Sequence, residues 1–113
     1  MTGVQTCALP ILGVAYSELG RPEDAIEAFR QALRINPDLM EAHYRLRTEY
    51  SALGWYDEVI EACRQAIRIK PDDPMAHYDL GVGCDNLGRY IEAAEAYEQA
   101  DRKSTRLNSS HRL

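Results

Sequence analysis

Residues along this chain return unchanged 34 positions later. Tyr16, Leu19, Gly20, Glu27, Ala28, Arg30, Gln31, Ala32, Arg34, Ile35, Pro37 and Asp38 become Tyr50, Leu53, Gly54, Glu61, Ala62, Arg64, Gln65, Ala66, Arg68, Ile69, Pro71 and Asp72. A third, incomplete copy carries Leu87, Gly88, Glu95, Ala96, Gln99 and Ala100. A fixed period of this size means a stack of units. Each unit is too small to bury its own apolar face, so neighbours bury it together.

Each copy reads as two helices. In the second, Asp38 is expected as the N-cap before Leu39, Met40 and Glu41, where a carboxylate can meet free amides. Ala42, Leu46, Tyr50 and Leu53 follow at helical spacing. Gly54 then ends the helix, since glycine enters the left-handed region without strain. The next helix presents Val59, Ile60, Cys63, Ala66 and Ile67, and Lys70-Pro71 closes it because the residue before proline avoids the helical region. The first copy presents Ala25, Ile26, Phe29, Ala32 and Leu33. The third presents Leu80, Cys84 and Leu87, then Ala93, Ala94, Tyr97 and Ala100. Helices are predicted near 22–35, 39–53, 56–69, 74–87 and 90–102. A shortened first helix should start close to Pro10, which lacks an amide donor and suits a first turn. No segment alternates with period two, so strands are not expected.

A 34-residue helix–turn–helix unit with these residues resembles the tetratricopeptide repeat. Leu12-Gly13, Tyr16, Ala25, Phe29, Ala32 and Pro37 match that family's pattern in the first copy. Leu46, Tyr50, Ala66 and Pro71 match in the second, and Leu80-Gly81, Ala93, Tyr97 and Ala100 in the third. The resemblance implies an all-α solenoid of helical hairpins, about two and a half repeats in a right-handed superhelical stack, spanning 12–39, 40–73 and 74–100. Departures from the pattern carry structural expectations. Arg47 and Val59 replace small residues, so the middle repeat should splay slightly or Arg47 should snorkel along the seam. His43 and His77 stand where the pattern has tryptophan. Cys63 and Cys84 stand at aromatic places.

Residues 1–11 and 101–113 leave the repeat abruptly. Asp101 follows where Ile67 predicts an apolar residue, and Thr105 where Pro71 predicts proline. The two ends also have antisense codons available. The string ACT GGA GTT CAG ACG TGT GCT CTT CCG ATC encodes residues 2–11, and its reverse complement encodes residues 101–110 in order. Both ends resemble translated sequencing-adaptor sequence and are set aside from the 12–100 domain. On this reading the basic run Arg102, Lys103, Arg106 and Arg112 is no nucleic-acid arm. Asn108-Ser109-Ser110 is no meaningful glycosylation acceptor, Cys7 is not a native thiol, and Met1 does not mark a true start.

The chain has 13 Lys and Arg against 18 Asp and Glu. Setting aside Arg102, Lys103, Arg106, Arg112 and Asp101 leaves 9 against 17, a net −8 for 12–100. An acidic surface argues against nucleic acid and anionic membranes. No apolar run is long enough to span a bilayer. Cys63 and Cys84 read as small core hydrophobes, with an oxidised pair as the alternative. The compartment is unspecified, with the cytoplasm as default.

No catalytic constellation is legible. Ser17 and Ser51 lie outside any nucleophile-elbow pattern. Gly81-Val82-Gly83 begins like a dinucleotide loop, but Asn86 takes the third glycine's place within a helix. His43 and His77 lack a third metal ligand and read as packed core histidines. Glu92, Glu95 and Glu98 read as a solvated face. No cofactor or metal is expected, and the chain is not expected to be an enzyme.

The resemblance implies a concave face, lined by the first helix of each repeat, that holds an extended peptide or partner helix. Here that face would carry Val14, Ser17 and Glu18, then Glu41, Tyr44, Thr48 and Ser51, then Met75, Tyr78, Val82, Asp85 and Asn86. Tyr44 and Tyr78 are one repeat apart and suit interface anchors. The family's clamp for a chaperone's C-terminal carboxylates is absent, because its places hold Pro10, Val14, Arg45, Met75 and Asp79, and Asp79 would repel a carboxylate. The leading expectation is a protein-interaction scaffold. The alternative is a non-catalytic repeat fragment of a larger enzyme, such as a glycosyltransferase or signalling protein. Self-association through the uncapped C-terminal face is a further expected partner mode.

Overall fold

The computed structural model describes the backbone of residues 2–112 and the side chains of residues 8–106. Cys7, Asn108 and Arg112, discussed above, therefore lie outside the described side chains. Six helices follow one another: α1 (Thr2–Glu18), α2 (Pro22–Ile35), α3 (Met40–Leu53), α4 (Tyr56–Ile69), α5 (Pro74–Asn86) and α6 (Tyr90–Arg112). No strand occurs among the described residues. The chain forms two compact units, Met1–Trp55 and Tyr56–Leu113, so the division falls between α3 and α4, inside the middle repeat.

The second helices of the first two repeats are near copies. Each has two acids in its first turn, Glu23 and Asp24 in α2 and Asp57 and Glu58 in α4, and an arginine, Arg34 or Arg68, in its last. These charges oppose the helix dipole at both ends. Ala25, Ile26, Phe29 and Ala32 are buried on α2, and Val59, Ile60, Cys63 and Ala66 on α4. Gly54 ends α3 with φ of 75°, the left-handed conformation expected of it.

Unit 1 is built around Phe29, which is fully buried. Gly13 of α1 lies on its ring, and a Cβ at Gly13 would sit 2.7 Å from the ring carbons. Unit 2 repeats the device with Gly81 on the Tyr97 ring, where a Cβ would sit 2.6 Å away. Ile60, Cys84 and Ala93 form the adjoining core, with Leu80 and Tyr97 packed on it. Cys63 and Cys84 are both buried.

His43 and His77 are buried. Each Nε2 donates to a proline carbonyl six residues back, Pro37 or Pro71, at 2.9 Å. The histidines are thus core residues that tie the loop entering their own helix.

Three expectations are corrected. α1 runs from Thr2 with Pro10 inside it. Proline deletes one hydrogen bond and crowds the carbonyl four residues back, but the turns on either side keep their own bonds, so the helix continues. α6 extends to Arg112 and does not stop near 102. Residues 101–112 contain neither proline nor glycine, and Thr105 occupies the place of the proline that stops α2 and α4. Lys103 and Arg106 also reach back to Asp72, each at 3.6 Å. Finally, the N-cap of α3 is Leu39, with no side-chain cap bond, and not Asp38. One repeat later Asp73 takes that position in α5 and accepts from the Met75 amide at 3.1 Å.

Candidate functional site

The residues expected on the binding face divide between the units. In unit 1, Val14, Ser17 and Tyr44 are half-buried, while Glu18, Glu41, Thr48 and Ser51 are exposed. Ser17 donates to the Glu49 carboxylate at 2.5 Å, joining α1 to α3. Glu49 is itself buried. That bond gives Ser17 a structural duty that its sequence position did not reveal. Glu41 pairs with Arg45 at 2.8 Å, a one-turn ion pair of small energetic weight. Thr48 donates to the Tyr44 carbonyl at 3.0 Å. The Arg47 guanidinium lies 5.8 Å from the centroid of the Tyr44 ring. The Tyr44 hydroxyl is buried and has no hydrogen-bond partner among the described residues.

In unit 2, Met75 and Tyr78 are exposed by 56% and 50%, enough for contact with a ligand. Val82 is half-buried, and Asp85 and Asn86 are exposed. Asn86 donates to the Val82 carbonyl at 2.8 Å. Met75 and Tyr78 come together with Pro74, Tyr97, Ala100, Asp101 and Ser104 around a cleft of about 400 Å³. The Tyr78 and Tyr97 rings lie 5.6 Å apart at 53°, a tilted aromatic pair. Burial is the main cause that pushes the Tyr97 hydroxyl above its usual range, and Asp85 adds to it. Asp79, next to Tyr78, is buried, so its carboxylate is not offered directly to a ligand as expected.

Sequence reasoning missed the inner wall of this cleft. Tyr97 was read as core because it repeats Phe29. Ala100 was also read as core, and Asp101 and Ser104 were set aside with residues 101–113 as adaptor-like sequence. The available signal was the long stretch after Ala100 without a helix breaker.

A second cleft of about 380 Å³ opens among α4, α5 and α6, with Arg64, His77, Cys84 and Glu92 in its lining. Arg64 and Glu92 pair across it at 3.6 Å. The Cys84 thiol is pushed above its usual range by burial first and by Glu92 second, against Arg64 and Arg89. A thiol held protonated is a poor nucleophile and a poor metal ligand. Among the described residues, no group of three or more His, Cys, Asp or Glu could hold a metal ion. None of the described helices is long and apolar enough to cross a membrane.

Family comparison accords with this arrangement of hairpins. Tetratricopeptide repeat models match residues 11–39 and residues 48–106. The chain belongs to the tetratricopeptide repeat family. Repeats of this family are typically non-catalytic modules that bind proteins. No curated protein sequence matches the chain. Among solved structures, this tetratricopeptide repeat chain is similar to a crystal structure of MamA, with 29% identity and a TM-score of 0.86. The match covers 92% of this chain and 61% of that one, so the chain spans about three fifths of the MamA chain's length. A MamA chain from Desulfovibrio magneticus RS-1 matches at 23% identity and a TM-score of 0.78, over 87% of this chain and 55% of that one. The second tetratricopeptide domain of Spaghetti (RPAP3), bound to the HSP90 peptide SRMEEVD, matches at 22% identity and a TM-score of 0.75. That match covers 85% of this chain and 89% of the other.

Proposed function

We propose that this chain is a non-catalytic interaction scaffold whose first helices hold an extended peptide or a partner helix. The observation that carries the reading is the Met75–Tyr78–Tyr97 cleft of unit 2, apolar and open, beside a helix of the type that lines the binding face. Unit 1 contributes its own stretch of that face, with Val14, Ser17, Glu41, Tyr44, Thr48 and Ser51. Unit 2 adds Met75, Tyr78, Val82, Asp85 and Asn86. The peptide-bound RPAP3 domain supports this use of the fold.

The ligand class differs from that neighbour's. SRMEEVD ends in acids, and the places that would clamp a terminal carboxylate hold Pro10, Val14, Arg45, Met75 and Asp79 here, where the one cation, Arg45, is paired with Glu41. With a net −8 over residues 12–100, the partner of this face is basic or neutral, and salt weakens a basic one.

The test is calorimetric titration of basic peptides selected against the chain from a display library. Replacing both Tyr44 and Tyr78 by alanine should weaken binding by about 1–4 kcal/mol if they anchor the ligand. Unchanged affinity, with helicity intact by circular dichroism, rejects the assignment.

A further inference from the structure

Unit 2 shows how one repeat receives the next. Val59 and Ile60 of α4 stand against Gly83 of α5, where an added Cβ would meet Ile60 Cγ1 at 3.0 Å and Val59 Cγ1 at 3.4 Å. Ile60 and Cys84 share one core there, and Leu80 packs on it. The second helix of one repeat thus seats the first helix of the following repeat at Gly83, with Leu80 packed beside it.

Both sides of this interface recur, uncovered, at the two ends of the chain. One repeat after Tyr56 and Ile60 stand Tyr90 and Ala94 on α6. Ile60 is buried, but Ala94 is exposed, and its neighbours Tyr90 and Ile91 are exposed by 68% and 81%. Two repeats before Leu80, Gly83 and Leu87 stand Leu12 and Ala15 on α1 and Leu19 in the turn just after it. Leu12 and Leu19 are exposed by 42% and 69%, and Ala15 is exposed as well. α1 carries no charged residue before Glu18, so the exposed face that bears Leu12 and Ala15 is uncharged.

We propose that the chain assembles head to tail, with the Tyr90–Ile91–Ala94 face of one copy seating the Leu12–Ala15–Leu19 face of the next. The contact continues the α4–α5 packing from one molecule into another. It joins two different surfaces, so it is heterologous and leaves a free face at each end of every open assembly. Growth then proceeds to a ring or an open filament.

Sedimentation and light scattering over a wide dilution series test this. The wild-type weight-average mass should rise with concentration to at least about twice the 12.8 kDa of the chain. Ile91→Glu and Leu19→Glu alter exposed side chains and should keep full helicity by circular dichroism. Each alone should stay monomeric at concentrations where the wild type assembles. Mixed in equal amounts, they should form a dimer and stop, because each supplies the one intact face the other lacks. A wild-type chain that is monomeric throughout overturns the proposal and leaves the two faces to flanking repeats of a longer chain. Assembly that survives Leu19→Glu but not Ile91→Glu also overturns it, in favour of a symmetric α6–α6 contact.

Discussion

The hairpins α1–α2 and α5–α6 use the same two places, 34 apart twice over, for different ends. In the first, Gly13 lies on a phenyl ring that is sealed on every side. In the second, Gly81 lies on the Tyr97 ring, whose outer edge meets Tyr78 and opens onto a cleft. α2 stops at Ile35, before Asn36-Pro37, whereas α6 continues and brings Ser104 to the cleft's wall. A single repeat plan therefore yields closed core where proline halts the chain and a lined recess where it does not. Binding surface in such an array depends on stop signals as much as on surface residues.

The largest test of this contrast is the glycine pair. Gly13→Ala should destabilise unit 1 by about 1–3 kcal/mol, because the Phe29 ring has no free space to take up the methyl group. Gly81→Ala should cost less, because Tyr97 can swing toward its cleft. Urea unfolding of both variants checks this, and equal losses would mean the two rings are equally confined.

A smaller effect is expected from restoring the missing stop. Thr105→Pro should end α6 near Ser104, lower the helical signal by circular dichroism and remove the Arg106–Asp72 pair. That pair is exposed on both sides, so stability should change by under about 1 kcal/mol. A larger loss would show that the last turns of α6 hold unit 2 together.

The smallest effect is a pH dependence confined to unit 2. Cys84 and Tyr97 are both raised above their usual 9.0 and 10.0, chiefly by burial. The unfolded chain ionises first, so it binds fewer protons than the folded chain across that window. Their contribution is complete below the usual values and is lost as pH rises from those values through the raised ones. Alkaline urea melts should show stability falling with pH, and Cys84→Ala with Tyr97→Phe should flatten that slope. A slope unchanged in the double variant would assign it to other groups.

Most element boundaries were legible because glycine and proline punctuate the repeat. Gly54, Pro37 and Pro71 sit where helices end, and the four interior helices follow the expected ranges to within one residue. The outer ends were not legible for a physical reason. Loss of repeat identity at Asp101 is not loss of helix propensity, and residues 101–112 can all donate their amides. Pro10 misled in the opposite direction, since one proline does not end a helix whose flanking turns hold. At the candidate face, exposure of Met75 and Tyr78 followed from register. Ser17's bond to Glu49 did not, because the burial of a carboxylate depends on its neighbours in space.

The histidine–proline ties bear on how the chain finds its fold. His43 reaches Pro37, and His77 reaches Pro71, across only six residues each. Closing so short a loop costs little chain entropy and takes on the order of tens of nanoseconds. Each tie brings the end of one helix to the start of the next without waiting for any distant segment. Contacts this local lower the contact order of the chain, which favours fast folding.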